Sequence, residues 1–140
     1  MQTAALCYRI TVRGKTEVLL ITSRDTGRWV LPKGWPMAGK SAQEAAAREA
    51  YEEAGFEGEV AGHCLGFYSY RKVLPDGNDM PCVVSVFPMR VKRLVNRFPE
   101  RGQRRLKWFA PKKAALKVVE SDLAILLSGF DAPQRPDPKP

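Results

Sequence analysis

Three carboxylates, Glu49, Glu52 and Glu53, fall within five residues and directly follow Arg48. At 100° per residue they occupy an arc of about 100° on one helix face. Like charges held this close repel one another. The repulsion becomes useful when a divalent cation sits among them, because hard Mg²⁺ or Mn²⁺ prefers carboxylate oxygens. Arg48, four residues before Glu52, is spaced to pair with it and fix its rotamer. Taken alone, the four residues read more often as a solvated charged face than as a metal site, so the decision rests on their surroundings.

The helix that would carry them is well marked. Ser41 and Glu44 have the spacing of a capping box, alanines at 42, 45, 46, 47, 50 and 54 favour helix, and Gly55 supplies a left-handed stop, which predicts a helix over 41–54. Before it, Leu6, Tyr8, Ile10 and Val12 alternate with Cys7, Arg9 and Thr11, as in a strand. A second strand is expected over 17–22 and a third over 29–31, ended by Pro32. After the helix, strands over 63–73 and 82–91 flank Pro75, Asp76, Gly77 and Asn78, residue types that suit a hairpin turn. A strand over 104–109 and helices over 111–117 and 121–127 follow. Mixed strands around one central helix indicate an α/β sandwich in a single domain over 1–130. Four prolines among residues 131–140 predict a disordered tail.

Charge is divided along the chain. Of a net +8 over 140 residues, six glutamates and only Arg48 lie between Glu44 and Glu59, while eleven basic residues and only Glu100 lie between Arg90 and Lys117. Acidic clusters attract divalent cations and basic clusters attract phosphate, so metal-dependent phosphate chemistry is expected. Cys7, Cys64 and Cys82 are odd in number and lack paired spacing, which points to free thiols in a reducing cytoplasm. No apolar run approaches the ~20 residues of a membrane span, and Met1, Gln2 and Thr3 lack a charged signal-peptide start, so no membrane partner is expected.

Gly34, Arg48, Glu49, Ala50, Glu52, Glu53, Gly55 and Phe56 fall on eight of the nine specified positions of the Nudix box, G-x5-E-x7-R-E-U-x-E-E-x-G-U, in a loop-helix-loop setting. The sequence here resembles the Nudix hydrolase superfamily. The ninth position departs, with Lys40 where the box has glutamate. The resemblance implies an α/β/α sandwich with a mixed sheet, and Glu49, Glu52 and Glu53 holding Mg²⁺ or Mn²⁺ with help from the Gly34 carbonyl. It also implies Arg48 orienting the carboxylates, with Glu53, Glu52 and Arg48 as the catalytic group and Glu53 as general base. The reaction implied is hydrolysis of a phosphoanhydride.

Further segments, 4–9, 22–24, 28–29, 31–34 and 102–109, resemble the diphosphoinositol polyphosphate phosphohydrolases, which also cleave diadenosine polyphosphates. That branch lines its anionic pocket with bases at the positions of Arg9, Arg24, Arg28, Lys33, Arg104 and Arg105. A small polyphosphate is therefore the expected substrate. Nucleotide-sugar hydrolysis, or a non-catalytic phosphate- or RNA-binding scaffold, are the alternatives. Capped RNA is the one nucleic acid left open, as is a homodimer. Glu100 sits where many members place an additional ligand or base, although a loop position is its default reading. Arg71 and Lys72 read more often as a solvated hairpin end, and Trp35 is the aromatic residue best placed for substrate contact.

Overall fold

The computed structural model describes residues 1–133. One mixed sheet of eight strands runs through the molecule. β1 (Gln2–Ile10) lies at its middle, parallel to β7 (Asp79–Leu94) on one side and antiparallel to β2 (Thr16–Thr22) on the other. Both faces of β1 are covered. Ala4, Leu6 and Tyr8 enter one core cluster with α2 (Pro111–Lys117) and α3 (Ser121–Ser128), and Ala5 and Cys7 enter the other with α1 (Ala42–Ala54). A strand apolar on both faces has no clean polar alternation. For that reason the expected strand from Leu6 to Val12 starts earlier, at Gln2, and stops at Ile10, leaving Val12 fully exposed.

The capping box forms as expected: Ser41 Oγ accepts from Glu44 N–H at 3.1 Å and Glu44 Oε1 accepts from Ser41 N–H at 2.8 Å. Gly55, at φ 75°, ends the helix with its N–H on the Tyr51 carbonyl. Ala46, Ala50 and Ala54 are fully buried against the sheet. Small side chains there draw the helix backbone close to the strands, so the neighbouring glutamates start near the sheet rather than in water.

Two strands were not visible in the sequence. β4 (Lys33–Gly34) pairs antiparallel with β1 directly after Pro32, Thr3 opposite Gly34 and Ala4 opposite Lys33. It is only two residues long, and the preceding proline reads as an end. β5 (Phe56–Val60) is polar, containing Glu57, Gly58 and Glu59, and pairs with β7 across a bulge between Glu57 and Gly58. β3 (Trp29–Val30), β6 (Gly66–Val73), β8 (Leu106–Phe109) and the hairpin through Pro75–Asn78 stand near their expected places. Ala132, 3% exposed, packs in the core with Phe130; residues 134–140 of the expected tail lie outside the described residues. Among the described residues no helix is long and apolar enough to cross a membrane.

Candidate active site

α1 presents Glu49 and Glu53, one turn apart, to the end of the sheet where β1 begins and β4 crosses it. The two side chains are almost buried, at 9% and 7% exposure. Gly34 of β4 packs directly on the Glu49 carboxylate, and a Cβ there would overlap its oxygens. Burial is the largest cause of a rise in the Glu53 carboxyl to about 8, with its hydrogen bond to Glu49 adding to the rise and Arg104 opposing it. Burial also raises Glu49, while the hydrogen bond from Glu53 lowers it. The physical cause is shared: two carboxylates in contact, away from water, cannot both ionise easily. At neutral pH the pair therefore keeps one proton, carried on Glu53 and donated to Glu49.

A second layer closes over this pair. Glu100 donates its backbone N–H to the Glu52 carbonyl at 3.0 Å, which ties the loop before β8 to the end of α1. Its carboxylate accepts from Arg104 Nη2 at 2.9 Å and lies 3.8 Å from Arg24 Nε. Arg104, 9% exposed, also reaches within 3.8 Å of Glu53 Oε1 and donates from Nη1 to the Thr22 carbonyl at 3.0 Å. From β4, Lys33 extends its ammonium over Tyr70, 4.8 Å from the ring centroid, and burial lowers its pKa while Glu53 opposes the fall. Tyr70 donates to Gln2 Oε1 at 2.6 Å.

These groups line a cleft of about 490 Å³ that gathers the carboxylates of Asp25, Glu49, Glu53 and Glu100 and the cations of Arg24, Lys33, Lys72 and Arg104, with Gly34 and Trp35 on its wall. A smaller chamber of about 120 Å³ adjoins it, lined by Arg28, Lys33, Lys72 and Glu120 between Tyr68 and Tyr70. Cations beside a carboxylate cluster suit a polyanion that is held at one end and attacked at the other.

The structure brings together Glu49, Glu53, Gly34, Arg24, Lys33 and Arg104 of the expected residues, and places Arg28 next door. Glu52 does not join the other two glutamates. Its carboxylate pairs with Arg48, at 2.6 Å from Nε, the i,i+4 contact that the sequence spacing predicts. Arg9 lies seven residues along β1 from Gln2, roughly 23 Å away at 3.3 Å per residue. There it pairs with Glu17 at 2.8 Å and stacks on Trp108. Arg105 also stays outside, its guanidinium 5.5 Å from the Trp29 ring centroid. Lys72 lines the cleft, and Arg71 borders the adjoining chamber while pairing with Asp79 across the hairpin. The signal for Lys72 lay in period two: Tyr68, Tyr70 and Lys72 share one face of β6, and the first two are partly or fully buried.

Among the described residues no three His, Cys, Asp or Glu side chains stand ready as a metal cage. The donor set nonetheless suits a hard cation: three carboxylates, all oxygen, beside the backbone of Gly34, with the Arg104 guanidinium already drawn in among them as a stand-in positive charge.

The NUDIX domain family model matches residues 1–128. Nudix hydrolase 21, chloroplastic, of Arabidopsis thaliana is 34% identical over 122 residues, covering 84% of this chain and 58% of that protein. Diphosphoinositol polyphosphate phosphohydrolase 3-alpha of Mus musculus is 32% identical over 120 residues, covering 84% and 67%. A C. elegans Ap4A hydrolase solved as a binary complex shares the fold with a TM-score of 0.65 at 22% identity, covering 91% of each chain. The chain spans 51% to 58% of the first plant relatives it matches. A capped helix laying paired glutamates against a glycine of the sheet, inside a match that runs from the first strand to the last helix, leads to one conclusion: this chain belongs to the Nudix family.

Proposed function

We propose that the protein hydrolyses a phosphoanhydride bond in a small polyphosphorylated molecule, of the diphosphoinositol polyphosphate or diadenosine polyphosphate kind, using Mg²⁺ or Mn²⁺. The observation that carries this reading is the gathering, within one cleft, of Glu49, Glu53 and Glu100 with Arg24, Lys33 and Lys72. The mouse relative, named for its action on diphosphoinositol polyphosphates, supports the substrate class.

Glu49, Glu53 and Glu100, with the Gly34 carbonyl, would hold the cation. When bound, Mg²⁺ or Mn²⁺ neutralises charge on phosphoryl oxygens and makes water a better nucleophile. The remaining work belongs to the chain. Arg24 binds phosphate from the loop after β2, Lys72 from β6 and Lys33 from β4. Arg28 extends this charge into the adjoining chamber for a longer polyanion. Glu53, once its proton has left, accepts a proton from the attacking water, its position fixed by Glu49. Arg48 and Glu52 brace the turn that carries both glutamates. Low local dielectric and pre-placed charges supply transition-state stabilisation without reorganisation.

The test is substrate hydrolysis with Mg²⁺, Mn²⁺ or EDTA, its products separated by ion-exchange chromatography, offering a diphosphoinositol polyphosphate, a diadenosine polyphosphate and a nucleotide-sugar. Cation-dependent turnover of either polyphosphate is expected. Turnover of the nucleotide-sugar alone, or salt-sensitive RNA binding without turnover of any, would replace this reading.

A further inference from the structure

Arg104 has an unusual position for a phosphate-binding arginine. Its side chain is 9% exposed, and all three nitrogens of its fork already donate inside the protein. Nε and Nη2 both reach Glu100 Oε1, at 3.3 and 2.9 Å, Nη1 donates to the Thr22 carbonyl at 3.0 Å, and Nη2 stands 3.8 Å from Glu53 Oε1. The contrast with Arg24 is instructive: Arg24 is 55% exposed, reaches Glu100 only at 3.8 Å and donates to the Gln103 side chain at 2.9 Å, a surface contact it can exchange for a ligand. Arg104 cannot, because its anchor is a backbone carbonyl of β2 and its charge is set against the carboxylates themselves. Any divalent ion drawn to Glu53 and Glu100 meets a fixed positive charge at close range, and like charges so placed inside a protein are poorly screened.

We propose that Arg104 is a built-in competitor of the divalent cation, a positioning residue that holds Glu53 and Glu100 together and sets the cation affinity low. The inference rests on the reading that this cluster binds Mg²⁺ or Mn²⁺. Two consequences follow. The carboxylates are kept in place whether or not a cation is bound, so the cation arrives at a preformed site. Its affinity is also held below what three carboxylates would give on their own, which favours release and exchange.

The measurement is Mn²⁺ and Mg²⁺ binding to the purified protein by isothermal titration calorimetry, together with thermal unfolding in EDTA. Arg104→Gln, which keeps a donor for the Thr22 carbonyl and removes the charge, is expected to bind Mn²⁺ at least about tenfold more tightly, ~1.4 kcal/mol. It is also expected to unfold at lower temperature in EDTA. Arg104→Lys, which keeps the charge, is expected to bind Mn²⁺ within about threefold of wild type. Equal or weaker binding by Arg104→Gln, or equal tightening in both variants, overturns the inference. Wild-type protein that binds neither cation overturns the metal reading itself and this inference with it. Should Arg104→Gln fail to fold, Mg²⁺ titration of wild-type protein followed by the Arg104 Nε–H resonance decides: a shift that saturates with cation binding is expected, and no response refutes the competition.

Discussion

Glu53→Gln is expected to make the metal-free protein more stable at alkaline pH. The folded protein holds the Glu53 proton until about pH 8, against 4.5 for an ordinary glutamate, chiefly because the side chain is buried. The unfolded chain releases that proton first, so rising pH favours unfolding across the window from 4.5 to about 8, and the stability present below it is lost above it. At ~1.36 kcal/mol per pH unit the full effect is ~4–5 kcal/mol, and sharing of the proton with Glu49 reduces it to about 2–4 kcal/mol. Glutamine has no proton to lose, and its amide still donates to Glu49. The variant should therefore match wild type near pH 4.5 and exceed it by about 6–20 °C in Tm at pH 9, at ~3–5 °C per kcal/mol for a chain of this size. Differential scanning calorimetry in EDTA across pH 4.5 to 9 measures it. A variant no more stable at pH 9, or one whose advantage is the same at every pH, would refute the account of a buried, proton-sharing pair.

Gly34→Ala forces a methyl into the Glu49 carboxylate. Turnover should fall by about 100-fold or more, since displacement of a positioned group by about 1 Å has that order of effect; unchanged turnover with an unchanged circular dichroism spectrum would show that β4 does not position Glu49. Ser41→Ala removes one half of the capping box and is expected to cost ~1 kcal/mol, read as a lower urea midpoint with the same m-value. Lys72→Ala should raise KM for a polyphosphate by about tenfold with kcat changed far less, an effect that shrinks as added salt screens the wild-type cleft.

The sequence made the helix legible because each of its signals is local. Ser41, Glu44, the alanines and Gly55 act on neighbours in the chain, and all appear where expected. It also placed Glu49 and Glu53 on one face. The same spacing carried the Arg48–Glu52 pair, which forms at 2.6 Å; periodicity alone could not show that this pairing separates Glu52 from Glu49, only 60° away by helical geometry. β4 was hidden by its length and by Pro32, and it is the element that brings Lys33 and Gly34 to the carboxylates. The basic segment misled in a different way. Between Arg90 and Lys117 only Arg104 enters the cleft, held against Glu100. Arg93 pairs with Glu57, and Lys107 and Lys117 lie over Phe109. The cations that do line the cleft, Arg24, Lys33 and Lys72, come from the more evenly charged part of the chain. Their convergence is set by β-sheet topology, which charge counting along the sequence does not contain.

The most direct test of the carboxylate cleft as the hydrolytic centre is Mn²⁺-dependent hydrolysis of a diphosphoinositol polyphosphate and of a diadenosine polyphosphate at pH 8, products separated by ion-exchange chromatography, by wild type, Glu49→Gln and Glu53→Gln. Both variants are expected to lose at least about 100-fold in turnover, within the range for general-base catalysis, while their far-ultraviolet circular dichroism stays unchanged. Wild-type turnover by folded protein lacking either carboxylate would contradict the account.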